Sequence, residues 1–214
     1  MHLQHDSEDS LRAGLCLSFS LLLAGLSGCD PGCEALSEKT PMLDLGTSAG
    51  DGVEDGFIPI NDGDIINPEA GPQGGQHFWG AVRTTNLKRG APVGTNEAAQ
   101  VDRPELRISL YNGEDTIATY FRTNQRLTHH NGLVGQAHGI TVIDTFSPYS
   151  HPHFFPEDFD PDGGPDSEPD EAWEFALETI YSMDWTFEAV LNDKCGTEVR
   201  DSRSIRIDNW NYYF

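Results

Sequence analysis

An acidic segment in the second half of the chain has the spacing of an oxygen-liganded calcium loop. Gly163 stands where such a loop needs a sharp turn, but Pro169 occupies the twelfth position, where a bidentate glutamate is expected. Two interpretations stay open, a loose calcium site or a solvated, proline-rich acidic insertion. The candidate calcium ligands are Asp158, Asp160, Asp162 and Asp166.

Histidines are the second group of candidate ligands. His151 and His153 flank a single proline, and His129 and His130 are adjacent, so either pair is close enough in sequence to bind one Zn²⁺, Cu²⁺ or Ni²⁺ ion. No Cys-x-x-Cys or His-Glu-x-x-His motif accompanies them. Histidines beside Gly and Pro are also common in surface turns. A transition-metal site at His151 and His153 and ordinary loop histidines therefore both stay open.

Catalytic motifs give little support for an enzyme. The stretch Gly46-Thr47-Ser48-Ala49-Gly50 matches Gly-x-Ser-x-Gly, but a nucleophile elbow joins a buried strand to a helix, and neither is expected here. No glycine-rich phosphate loop precedes a predicted helix. No catalytic carboxylate pair can be singled out among 35 acidic residues. The sequence predicts no catalytic residues and no enzymatic activity.

Short strands are expected to carry these loops. Residues 106–111 alternate between apolar and polar side chains, and residues 116–121 follow after Asn112-Gly113, which predicts a β-hairpin with a type I′ turn. Further short segments rich in β-branched and aromatic residues lie between Gly, Pro and Asn. The additional strands are predicted at residues 77–83, 140–146, 185–191 and 204–208.

One segment fits two patterns. Trp173, Ala176, Leu177 and Ile180 follow helical spacing, but the apolar residues here also nearly follow the alternation of a strand. Glu174 suits the exposed face of a helix, and a short helix is the favoured interpretation.

The C-terminal strands carry a family resemblance. Residues 185–196 and 201–207 resemble the last two strands of bacterial immunoglobulin-like or fibronectin-like modules, in which an alternating strand ends in an Asp-x-x-Gly turn, here Asp193 to Gly196, and a second strand pairs back. This resemblance implies a fold and no activity. The expected fold is all-β, an immunoglobulin-like or fibronectin-like β-sandwich with an acidic loop insertion.

The N-terminal residues carry a second resemblance. Residues 13–26 are largely apolar and lead into Leu26-Ser27-Gly28-Cys29, which resembles the lipobox cut by signal peptidase II in bacterial lipoproteins. The resemblance implies that residues 1–28 are a signal peptide and that Cys29 is lipidated. A transmembrane helix is the alternative, but it needs about 20 apolar residues. The protein is therefore expected in the bacterial cell envelope, membrane-anchored and facing the periplasm or the cell surface.

Composition divides the rest of the chain into two parts. Residues 29–55 are rich in Gly, Ser and acidic residues with little apolar periodicity, and they are predicted to be a lipid-anchored flexible stalk. Residues 56–214 are predicted to form the β-sandwich domain, which is long enough to bury a core.

Two cysteines remain once the lipoprotein features are assigned. Cys16 would leave with the signal peptide and Cys29 would carry the lipid, so Cys33 and Cys195 are left. In an oxidising envelope compartment they are expected to form a disulfide. The alternative is a reduced Cys195 buried as a small apolar side chain.

Charge limits the partners. The formal net charge is −22 at pH 7, which repels nucleic acid and anionic lipid headgroups, although an acidic surface can also serve solubility alone. Membrane contact is expected through the lipid anchor.

The predicted function is a non-catalytic binding or structural module for an unidentified envelope protein or extracellular ligand. The alternative is a metal-binding envelope lipoprotein with calcium or a transition metal, and no cofactor other than a metal is expected.

Overall fold

The computed structural model describes residues 31–48, 56–70, 76–88, 103–130, 134–161 and 169–210. The chain divides into two units, Met1–Glu38 and Lys39–Phe214. The described part of the first unit contains helix α1, Pro31–Ser37. None of the described helices has both the length and the apolar character required to cross a membrane. Cys33 and Cys195 are disulfide-bonded, which confirms the predicted pair.

The described part of the second unit is mostly β-strand, which confirms the predicted all-β class. A 3₁₀ turn, Pro152–Phe154, and helix α2, Pro169–Ser182, both lie between the strands Val134–Asp144 and Trp185–Asn192. The strands are β1 Met42–Thr47, β2 Ile58–Pro59, β3 Asp64–Ile65, β4 Glu69–Ala70, β5 Gln76–Thr85, β6 Glu105–Asn112, β7 Asp115–Arg122, β8 Thr128–His130, β9 Val134–Asp144, β10 Trp185–Asn192 and β11 Glu198–Arg206.

The described strands form one curled sheet, a half-barrel, in the order β2-β1-β5-β9-β7-β6-β10-β11-β3, with β4 on β5 and β8 on β9. Only two residue pairs join β7 to β9 within the described chain, Ala118 with Asp144 and Thr119 with Ile143. Strands β1, β5 and β9 thus form one group, and β7, β6, β10 and β11 form another.

Side chains of strands that are not neighbours in the curled sheet meet in the core. A Cβ atom placed on Gly80 of β5 would lie only 2.9 Å from the Cδ1 of Ile108 on β6, so these strands approach closely across the core. Ile108 is fully buried, as are Phe78 on β5 and Phe187 on β10. The alternation of buried and exposed residues along β6 puts one face of this strand into the core, as its sequence predicts.

The hairpin of β6 and β7 is confirmed, but its turn differs from the prediction. Asn112 pairs with Asp115, so the two loop residues are Gly113 and Glu114. Gly113 has a φ of 58°, and among the described non-glycine residues only Asn86 has a positive φ. A positive φ at the first loop residue alone is the pattern of a type II′ turn, because type I′ requires it at both.

The favoured helix at residues 173–181 is confirmed by α2. Ala172, Ala176 and Ile180 are buried at intervals of four residues, which is the spacing of one helix face, and Glu174 is exposed. The indole N–H of Trp185 donates to the carbonyl of Ile180 at 3.0 Å and ties the end of the helix to β10.

The segment predicted as a stalk differs from expectation. Met42–Thr47 forms strand β1, which pairs antiparallel with β5 from Met42 to Gly46. Leu43 and Leu45 are buried in the core. Two alternating leucines are too short a pattern to predict a strand in a Gly- and acid-rich segment. The strand is stabilised by its pairing with β5, which the local sequence does not indicate.

Candidate functional site

The segment of residues 145–161, called here the aromatic loop, folds against the start of β7. The backbone N–H of Thr145 donates to the carbonyl of Ile117 at 2.8 Å, and its hydroxyl donates to the carbonyl of Thr116 at 3.1 Å. These bonds hold the loop at the tip of the β6–β7 hairpin.

Aromatic packing fixes the aromatic loop from inside. Phe146 is buried, and its ring stacks on Phe155 with centroids 5.7 Å apart and an interplanar angle of 18°. It also contacts Trp173 of α2 edge to face at 5.9 Å and Trp210 at 5.7 Å. Rings in these geometries contribute attraction beyond the area that they bury. The loop is therefore anchored to both the helix and the C-terminal segment.

His151 is a structural histidine in this arrangement. It is buried, and its Nε2–H donates to the carbonyl of Thr116 at 3.1 Å, while Nδ1 lies 2.8 Å from the hydroxyl of Ser150. Burial lowers its pKa from the ordinary value of 6.5, and the Thr116 carbonyl opposes that shift. The Ser150 hydroxyl itself donates to the carbonyl of Thr145 at 2.7 Å, and both ring nitrogens of His151 have a protein atom within hydrogen-bond distance.

His153 is exposed and has a different partner. Its Nε2 lies 3.0 Å from the Oδ1 of Asp115, and its ring packs on Phe154 with centroids 4.4 Å apart. The rings of His151 and His153 are 6.4 Å apart. Within the described chain, no group of three His, Cys, Asp or Glu side chains is placed to hold a metal ion. The structure thus brings these two histidines near each other but engages each with a protein partner.

The predicted calcium ligands are described only in part. Asp158 and Asp160 are exposed at the end of the aromatic loop. Asp162, Gly163 and Asp166 lie outside the described residues, and Pro169 begins α2. Calcium binding by this segment stays a prediction. Cys29, the predicted site of lipidation, also lies outside the described residues.

A pocket of about 360 Å³ opens on the aromatic loop. Its walls are mainly rings, and two polar side chains, His153 and Glu157, lie among them. Phe155 and Phe159 stack with centroids 5.3 Å apart and an interplanar angle of 19°, and Phe159 is half-buried, so part of its ring faces solvent. The ring-bearing wall residues are Pro148, Pro152, Phe155, Pro156, Phe159 and Pro161.

Walls of aromatic and apolar rings with a few polar groups are typical of ligand sites. Such a pocket can take a flat or alkyl group against its rings and a cationic or hydrogen-bond-donating group beside Glu157. Its shape is held by the packed aromatic cluster and by the bonds of the histidines to the hairpin, so little ordering is required when a ligand binds.

Sequence reasoning missed most of this site. The sequence places Asp115 and Thr116 only in or beside the predicted hairpin, and nothing in the sequence around Glu157 marks it as a binding residue. The signal that was available is the composition of the aromatic loop, which places four prolines among its aromatic residues. No protein-family model matches the chain, and comparison with curated proteins gave no match.

Proposed function

We propose that this protein is a lipid-anchored, non-catalytic binding module of the bacterial cell envelope, with the pocket of the aromatic loop as its binding site. The observation that carries the proposal is that preformed pocket, whose ring walls are braced by Phe146 from inside. Preorganised walls favour recognition because the ligand does not have to order them.

The proposed fold of this module is an immunoglobulin-like or fibronectin-like sandwich. Two features support it, the short two-pair ladder between β7 and β9 and the close approach of Gly80 to Ile108 across the core. The turn from Asp193 to Gly196 adds support, since Asp193 accepts hydrogen bonds from the backbone N–H groups of Cys195 and Thr197 and so closes the β10–β11 hairpin.

Anchoring and location rest on the lipobox resemblance at Leu26-Ser27-Gly28-Cys29. A disulfide between Cys33 and Cys195 agrees with an oxidising compartment, where such bonds persist. On a membrane surface, the pocket would be accessible to envelope proteins or extracellular ligands.

Binding by the pocket can be tested without knowing its ligand. The purified protein is screened against a library of small organic fragments by saturation-transfer NMR, and each binder is repeated on Phe159→Ala. The matched control is Phe175→Ala, which removes an exposed phenylalanine of α2 away from the pocket lining. We expect fragments that bind the wild type and F175A but lose binding to F159A. Circular dichroism checks that both variants stay folded.

The proposal fails if no fragment binds, or if the binders are retained equally by folded F159A. In either case the pocket does not serve as a binding site.

A further inference from the structure

We infer that the pocket of the aromatic loop receives a cationic side chain, arginine or lysine, from a basic peptide segment of a partner protein. The inference rests on the proposed function, because it names the ligand class of the same pocket.

The first step is the distribution of charge. The chain has no lysine or arginine between Arg126 and Lys194, although this stretch contains many aspartates and glutamates. The aromatic loop lies wholly inside it, so the chain places no lysine or arginine of its own within that loop. Glu157 in the pocket wall and the neighbouring Asp158 are both exposed. A positively charged segment is therefore attracted to this face.

The second step is the chemistry of the walls. A cation positioned over an aromatic ring is attracted by the negative face of the ring, and guanidinium groups stack well on flat surfaces. The same contact occurs elsewhere in the protein, where the guanidinium carbon of Arg83 lies 4.2 Å from the centroid of the Phe57 ring. The partly exposed Phe159 offers a comparable surface, and the proline rings suit the alkyl stem of the incoming side chain.

The third step concerns the size of the partner. Tyr149 directly follows the wall residue Pro148 and is 68% exposed, so an exposed aromatic residue is next in the chain to the pocket wall. A single small amine would leave this ring uncovered. A peptide backbone running past the pocket contacts it, and aromatic side chains are enriched in protein interfaces.

The test uses a fluorescently labelled peptide with one central arginine in a Gly-Ser background, and its analogue with citrulline, which keeps the shape but removes the charge. Binding is followed by anisotropy with the wild type, Glu157→Gln, and the matched control Glu174→Gln on α2. We expect the arginine peptide to bind the wild type and E174Q alike. Affinity should be about tenfold lower for the citrulline peptide and for E157Q, since each removes one charge of the pair. It should also fall as salt rises from about 50 to about 300 mM.

Several results would overturn the inference. Equal binding of the citrulline peptide means that charge is not recognised, and equal losses in E157Q and E174Q mean unspecific attraction. Competition by free agmatine at the same concentration as the peptide means that a small amine is the ligand. If no peptide binds while fragments still bind at Phe159, only the ligand class is wrong. If neither binds, the proposed function fails as well.

Discussion

Leu45 and Asp201 are 156 positions apart in the chain, and the backbone N–H of Leu45 donates a 2.8 Å hydrogen bond to the carboxylate of Asp201. Leu45 lies in β1 and Asp201 in β11, which belong to different strand groups. Asp201 also pairs with Arg203, whose Nε donates to the carbonyl of Ile60 at 3.0 Å. Where β11 comes close to β1 in the curled sheet, hydrogen bonds of β11 side chains therefore hold the segments together.

Replacing Asp201 should reveal this role. Asp201→Ala removes the acceptor of the Leu45 N–H and the carboxylate partner of Arg203, and we expect it to lower the free energy of unfolding by about 1–3 kcal/mol. Asp201→Asn keeps an oxygen that can accept from Leu45 and should cost less. Urea unfolding of the variants measures both values.

The control for this experiment is Glu198→Gln on the same strand. Glu198 pairs with Arg200 at 2.7 Å on an exposed surface, where ion pairs contribute little. Stability should hardly change. A loss in E198Q as large as that in D201A would show that closure of the sheet is not what Asp201 provides.

Gly80 and Ile108 offer a second test of the fold. Gly80→Ala places a methyl group 2.9 Å from the Cδ1 of Ile108 and 3.1 Å from the Cγ2 of Val142. We expect this overpacking to cost about 1–3 kcal/mol of stability. Ile108→Val removes the contacted methyl group and creates space for the new one.

The double variant G80A/I108V should then be more stable than the sum of the two single losses predicts. A double-mutant cycle from chemical denaturation gives this coupling energy, which is of the order of 0.5 kcal/mol or more for residues in contact. Strict additivity would mean that Gly80 and Ile108 do not meet across the core.

The sequence predicted the local features of the fold better than the long-range ones. Alternation in residues 106–111 predicted β6 because one face of this strand is buried and the other is not. Strand β1 escaped detection because its place in the sheet comes from pairing with β5, which is distant in the chain. The type of the hairpin turn depended on the register of Asn112 with Asp115, and a dipeptide alone does not fix that register.

The candidate site was predicted only in fragments. The sequence indicates His151 and His153 as candidate metal ligands, since imidazoles two residues apart suit a metal ion. Their actual partners, Thr116 and Asp115, are on a hairpin more than 30 positions earlier in the chain. Contacts of this range arise from the packing of the aromatic loop, and spacing along the chain carries no information about them.

His151 should make stability depend on pH. Its pKa is lowered mainly by burial, so between the folded-state pKa and the unfolded value of 6.5 the unfolded chain binds a proton that the folded protein does not. The contribution to stability is complete above 6.5, decreases as the pH falls below it, and levels off below the folded-state pKa. Unfolding free energies measured from about pH 7.5 to about pH 5 should show this decrease.

His151→Gln removes the titrating group, so the decrease should be smaller in the variant than in the wild type over the same pH range. Equal slopes in the two proteins would mean that His151 is not responsible for the acid sensitivity.

Lipidation of Cys29 gives a prediction for the N-terminal region. Cys29→Ser removes the thiol that the lipobox resemblance marks for acylation, so the variant should move from the membrane fraction to the soluble fraction of the cells. Immunoblots of both fractions after an alkaline carbonate wash make the comparison. Ser27→Ala is the matched control, because it keeps a small residue before the cysteine and should stay anchored. A C29S protein that remains with the membrane would exclude the lipid anchor.

Calcium binding by the acidic segment is the last prediction. Asp158 and Asp160 are exposed, so their carboxylates are accessible to an ion from solvent. With Pro169 in place of the strong twelfth ligand, affinity should be weak, roughly 0.1 to 1 mM, as in extracellular modules.

An ion that binds only the folded state raises the melting temperature, and at ten times its dissociation constant it contributes about 1.4 kcal/mol. The wild type should therefore melt higher in about 10 mM Ca²⁺ than in chelator. The variant D158N/D160N should lose this gain, whereas Asp184→Asn, an exposed acid outside the segment, should keep it. Identical melting curves of the wild type with and without calcium would leave the acidic segment as a solvated insertion.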